Sequence, residues 1–178
     1  LEQFENPSML KLDPPDHSRI RKLVQYGFTN RYITSLEPEI KKIVEDCLDK
    51  VHNQDSFDLI EDLAKPLPAI VIAKMMGLPN EDLDQFQAWS EDLLVGVGGI
   101  GSSREDIKKS GDAYEALINY FEKIILSRKN SPGDDFIGKL IQAEEEGDKL
   151  NIKEMYGTCL LLLIAGHETT TRLIGNGM

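Results

Sequence analysis

Apolar positions recur every three or four residues along almost the whole chain, and no run alternates as a half-buried strand does. In "DPPDHSRIRKLVQYGF" a helix starts after the proline pair, since prolines are tolerated only in a first turn. Ile20, Leu23, Val24 and Phe28 form its apolar stripe and leave Arg19 and Lys22 facing out. "TSLEPEIKKIVEDCLDKVH" repeats the pattern through Leu36, Ile40, Ile43, Val44, Cys47, Leu48 and Val51. "FDLIEDLAKPLPAIVIAKMMGLP" reads as one more deeply buried helix that stops at Gly77 and Pro79. Asn80 is the expected N-cap of "NEDLDQFQAWSEDLLVG". A long amphipathic helix follows in "EDIKKSGDAYEALINYFEKIILSRKN", then a shorter one in "DDFIGKLIQAEEEG". The last helix, from about Asn151, is apolar nearly all round, as a helix through the centre of a fold is. The expectation is an all-α chain of seven helical segments with no sheet.

Composition narrows the function classes. The 178 residues suffice for one domain with a substantial core, and 40% hydrophobic with 29% charged residues is ordinary for a soluble protein. A formal net charge of −11 argues against nonspecific nucleic-acid binding, which needs clustered Lys and Arg. The longest apolar run, Cys159 to Ala165, is too short to span a bilayer, and no targeting segment is visible, so cytoplasm is the expected location. Cys47 and Cys159 read as buried thiols in a reducing compartment. Both ends read as cut: the chain opens at Leu1 and closes while the apolar pattern is still running. Residues 1–178 are therefore expected to form a single incomplete domain.

Two motif-like stretches carry less than they suggest. "GVGGIG", residues 96–101, fits the dinucleotide pattern by letter, but a helix precedes it and Glu105 and Asp106 would repel a phosphate. A flexible linker between helices is the simpler reading. "HETTT" begins like a zinc-protease motif, yet Thr171 stands where the second histidine belongs, and a lone His167 makes no zinc site. The acidic run 144–146 reads as a solvated helix end and His52 as a surface residue.

The informative stretch is "CLLLLIAGHETTT", residues 159–171, where an apolar helix runs into an acid and hydroxyls with no turn between. Ala165, Gly166 and Thr169 share a helical face. Two small residues there let something flat approach the backbone, and a mid-helix glycine costs about 1 kcal/mol relative to alanine. Thr169 can back-bond to the Ala165 carbonyl, and Glu168 can take or pass protons. The competing reading is helix–helix packing through Gly166, with Glu168 paired to a base. A second pattern, "DPPDHSRIR", sets His17 and Arg21 four apart on one face, where both can donate to carboxylates or phosphates; alone it reads equally well as a salt-bridged surface helix.

Taken together, "LDPPDHSRIRKLVQYGFTNR" resembles the C-helix signature of soluble bacterial cytochrome P-450 monooxygenases, and "LLLIAGHETTT" resembles that family's I-helix oxygen-binding motif. The order and separation of the two also match, and the resemblance extends over essentially all 178 residues. It implies the central helical part of that fold, from C to I helices, without the family's sheet and haem-thiolate loop. By the same resemblance, His17 and Arg21 bind haem propionates, and Ala165 and Gly166 lie over the distal face of the haem. Glu168 and Thr169 are the acid–alcohol pair that relays protons for dioxygen activation. Leu161, Ile164 and Ala165 line the substrate pocket. Arg19, Lys22 and Arg31 fall in a locally basic stretch, since residues 11–31 hold five Lys or Arg against two Asp. The family's proximal face, where an acidic ferredoxin or flavodoxin docks, often uses such residues.

The implied activity is insertion of one oxygen atom from dioxygen into a small hydrophobic organic substrate, with haem b as cofactor and electrons from NAD(P)H through a redox partner. The family's haem-ligating cysteine has no counterpart here, because Cys47 and Cys159 both sit in helical patterns, so no metal ligand is assigned and the 178 residues alone are expected to be inactive. Two alternatives stay open: a catalytically dead helical remnant that self-associates through its apolar last helix, and a haem-free module that binds hydrophobic ligands.

Overall fold

The helical periods become helices, and local chemistry fixes most of their ends. The computed structural model describes residues 6–97, 103–143 and 147–177. Eight α-helices follow one another among them: α1 (Asp16–Gln25), α2 (Asn30–Ser35), α3 (Glu37–Asp49), α4 (Pro66–Met75), α5 (Leu83–Val97), α6 (Arg104–Arg128), α7 (Phe136–Gln142) and α8 (Ile152–Gly177). No β-strand occurs among the described residues, in line with the all-α expectation. The run 144–146 and most of "GVGGIG" lie outside the described residues.

Several helix starts follow side-chain caps. The Ser103 hydroxyl accepts from the Asp106 N–H while the Asp106 carboxylate accepts from the Ser103 N–H, a reciprocal box that opens α6. Asn151 and Glu154 do the same for α8: Oδ1 accepts from Glu154 N at 3.0 Å and Oε2 from Asn151 N at 2.8 Å. Asp58 caps the turn that follows it, and Asp135 caps α7. Asn80 does not cap α5 as expected. It opens a short 3₁₀ turn, Asn80–Asp82, and its side-chain oxygen accepts from the Lys74 ammonium.

The segment expected as one helix through residue 76 is two elements. Pro66 and Pro68 lack the N–H that a helix interior needs, so they fit only where a helix begins. The chain forms a wide π-helical turn at Leu59–Ala64, in which Lys65 N reaches the Ile60 carbonyl at 2.9 Å, and α4 starts afresh at Pro66. At the other end Gly77 takes φ +71°, with Leu78 N on the Ala73 carbonyl and Gly77 N on that of Lys74. This left-handed closure favours glycine.

The core gathers where α4, α5, α6 and α8 meet, with α1 and α7 packed against it; Leu23, Met76, Leu93, Leu117, Phe121, Phe136 and Leu163 lose all contact with water. Phe28, expected in the stripe of α1, lies past that helix and is 41% exposed, with its ring edge-on to Phe136 at 5.2 Å. Arg128 knots three elements: its guanidinium donates to the carbonyls of Met76 and Gly77 and to the Asp135 carboxylate. No helix among the described residues is long and apolar enough to cross a membrane.

Candidate active site

Helix α8 is buried all round from Glu154 to Leu160 and then emerges on one side. With about 100° between successive residues, positions four apart form rows along the helix. Leu163 and His167 are buried, and Thr171 and Gly175 continue their row half-buried; Ala165 and Thr169 are exposed, and Leu173 is 74% exposed. The apolar helix thus presents an open face of Leu161, Ala165, Thr169 and Leu173, with Leu161 half-buried at its inner end.

The structure divides the small-residue pair. Ala165 lies on the open face, whereas a Cβ on Gly166 would meet Ile72 Cδ1 of α4 at 3.0 Å. Glycine at 166 therefore lets α8 sit close to α4, and alanine at 165 keeps the open face low. Ile164 packs partly against the core rather than standing on the open face.

Thr169 Oγ1 donates to the Ala165 carbonyl at 2.5 Å, the back-bond expected from the spacing. The hydroxyl keeps its lone pairs for another donor. Glu168 points elsewhere: its Oε1 accepts from Arg172 Nη2 at 2.5 Å, one turn on, and it lines a crevice of about 340 Å³ with Lys65, Glu91, Asp92, Lys109 and Arg172. The acid faces a water-accessible crevice that mixes charged side chains with Leu94 and Val95, while the alcohol one position later sits on the open face.

His167, which the sequence reading left without a role, is 3% exposed and has both ring nitrogens engaged. Nε2 lies 3.1 Å from the Lys65 carbonyl and Nδ1 2.6 Å from Ser90 Oγ of α5. A carbonyl can only accept, so Nε2 carries the proton and Nδ1 accepts from the serine hydroxyl. Burial pushes this imidazole below its usual pKa, the Lys65 carbonyl acting the other way. The one sequence signal was its position four after Leu163, on the most buried row; its partners lie 77 and 102 residues away.

On α1, His17 is half-buried and Arg21 exposed; among the described residues no hydrogen bond or ion pair engages either side chain. Between them Arg19 turns to α8 and pairs with Glu154, which is 5% exposed, and with Asp148 at 3.4 Å. Lys22 and Arg31 are exposed. Cys47 and Cys159 are buried in α3 and α8, and burial pushes the Cys159 thiol up to about 12. No group of three or more His, Cys, Asp or Glu placed to hold a metal occurs among the described residues.

The family model described as "Cytochrome P450" matches residues 1–177. The chain belongs to the cytochrome P450 family. This P450 chain is 40% identical over 168 residues to a cytochrome P450 of Bacillus subtilis (strain 168), covering 94% of the chain and 40% of that relative. It is 39% identical over 175 residues to cytochrome P450 CYP107DY1 of Priestia megaterium, covering 97% and 41%. Among solved structures, ligand-free cytochrome P450 TbtJ1 superposes with a TM-score of 0.88 at 38% identity, over 95% of this chain and 44% of that one. CYP109E1 from Bacillus megaterium in complex with testosterone gives 0.85 at 38% identity, over 92% and 43%. This P450 chain spans less than half the length of the relatives it matches.

Proposed function

We propose that the chain is the central helical part of a larger catalytic domain, a haem monooxygenase that inserts one oxygen atom of dioxygen into a small hydrophobic substrate. Family membership and the share of each relative that the chain covers support this reading. The observation that carries it is the split between Glu168, in a water-accessible crevice, and Thr169, on an open apolar face one residue later.

The residues present suit a porphyrin carrying two carboxylates. A low, apolar face at Leu161 and Ala165 offers a flat surface, and His17 and Arg21 are two hydrogen-bond donors one turn apart with no partner among the described residues. His17 and Arg21 would hold the propionates, Ala165 would border the distal side, and Gly166 would contribute there by letting α8 pack close to α4. When bound, haem supplies the redox chemistry of dioxygen. Glu168 collects protons from the crevice, and Thr169 holds one at Oγ1 on the open face, its orientation fixed by the bond to Ala165. Leu161 excludes water and orients an apolar substrate, with Ile164 packed behind it against the core; the testosterone complex of CYP109E1 favours a substrate of that character. NAD(P)H supplies electrons through a ferredoxin or flavodoxin, docking where Lys22 and Arg31 stand exposed beside Arg19. Buried in helices, neither Cys47 nor Cys159 can ligate iron, so these 178 residues alone stay inactive.

Thr169→Ala in the complete haem enzyme that contains this chain should divert dioxygen consumption from product to peroxide, with substrate affinity retained. Unchanged coupling would remove the proton-holding role. His17→Ala with Arg21→Ala should weaken haem uptake in a direct titration; an unaltered affinity would remove the propionate assignment.

A further inference from the structure

The start of α4 lacks backbone donors. In an α-helix each carbonyl accepts from the N–H four residues on, and Pro68 has none to offer Ala64. Helix α8 supplies one: Thr171 Oγ1 donates to the Ala64 carbonyl at 3.0 Å. One turn earlier, His167 Nε2 donates to the neighbouring Lys65 carbonyl. One turn later, Gly175 sits so close to the π-helical turn that a Cβ there would meet Ile60 Cδ1 at 2.4 Å. Residues 167, 171 and 175 thus form a single row, one residue per turn, that reads the proline-interrupted backbone. On its other side the imidazole accepts from Ser90 of α5, a side chain with no exposure.

Such a row fixes the rotation of α8 about its own axis. Directional bonds to two successive carbonyls cannot be kept if the helix turns by one residue, about 100°. Glu168 lies one step round from His167 and Thr169 two, so Thr169 falls almost opposite the row. That is where it is exposed. Rotation set at His167 and Thr171 therefore decides that the acid meets the crevice and the alcohol meets the open face.

We propose that His167 and Thr171 are positioning residues, which anchor α8 to the carbonyls of Lys65 and Ala64 and thereby aim Glu168 and Thr169. This rests on the acid–alcohol reading above, but its tests separate the two. Nitrogen NMR of the histidine ring should show a neutral imidazole protonated at Nε2, whatever the enzyme does. A ring protonated at Nδ1 would overturn the anchoring. In the complete haem enzyme that contains this chain, Thr171→Val should release about tenfold more peroxide per product, the scale of one lost hydrogen bond, with substrate affinity kept, and Thr171→Ser should restore coupling. His167→Gln, which retains a donor for the Lys65 carbonyl, should be milder than His167→Leu. Should His167→Leu fail to fold, the Thr171 pair still decides. If Thr169→Ala uncouples while Thr171→Val does not, the positioning role falls and the acid–alcohol role stands. If Thr169→Ala leaves coupling intact, the acid–alcohol role falls and takes the aiming with it, while the NMR result still reports on the anchor.

Discussion

Because His167 is buried and neutral, it ties stability to pH. Burial lowers its pKa and the Lys65 ammonium adds to that, while the Lys65 carbonyl, Glu91 and Glu168 raise it. The unfolded chain binds a proton at this residue near the ordinary histidine pKa of 6.5, and the folded chain only below that. More protons bind to the unfolded state in this window, so stability is complete above about pH 6.5 and declines as pH falls from there toward the lower folded value. Thermal unfolding followed between about pH 7 and 5.5 should show this decline, and His167→Gln should flatten it. Parallel curves for the two proteins would sink the assignment. Gly166 and Ala165, adjacent in sequence, should respond oppositely to size. Gly166→Leu drives a side chain into Ile72 and should cost about 1–3 kcal/mol in urea unfolding, whereas Ala165→Leu on the exposed face should stay within about 0.5 kcal/mol. Equal losses would mean that both residues face the core. The sequence marked the acid, the alcohol and the two small residues; it could not tell which small residue faced a neighbouring helix. That depends on the rotation of α8, which partners about a hundred residues away set.

Among elements, the legible ends were those whose chemistry is local. The closure at Gly77 and the span of α6 follow from residues within a turn of each boundary. What resisted reading was the segment from Phe57 to Met76, where apolar residues run on through Pro66 and Pro68. Periodicity alone joins the two halves; the missing N–H groups divide them, and the π-helical turn absorbs the change. Arg128 was equally hidden, because its acceptors at Met76 and Gly77 lie more than fifty residues away. It should be a principal tie of the fold. Arg128→Leu removes this donor from two carbonyls and leaves the Asp135 carboxylate with the Gly138 N–H but no cation, beside side chains at most 20% exposed. A loss of about 2–4 kcal/mol is expected in urea unfolding, from several acceptors each costing about 1–3 kcal/mol when stranded. Wild-type stability in that variant would show that water replaces the guanidinium without cost.

Across the whole molecule, charge is set against its local use. On the proposal that an acidic ferredoxin or flavodoxin supplies the electrons, a chain of net charge −11 would repel it at long range, so its docking would need a patch where the sign reverses. Residues 11–31 are that patch in sequence, but the structure assigns its cations different work. Arg19 is held by Glu154 and Asp148 and joins α1 to the start of α8, and the Glu154 bond is the first cause raising its pKa. Lys22 and Arg31 are exposed, as are Lys11 and Arg21. Charge reversal of both, Lys22→Glu with Arg31→Glu, should slow the first electron transfer from a ferredoxin about tenfold at low salt and hardly at all at high salt, because only the steered encounter is lost. Arg19→Gln should behave differently. It strands a buried carboxylate, so it should lower the unfolding midpoint and leave the salt dependence of electron transfer in place. If the double reversal leaves both rate and salt dependence unchanged, the electron donor docks elsewhere. If Arg19→Gln reproduces the double reversal without loss of stability, its bond to Glu154 does not hold α1 to α8.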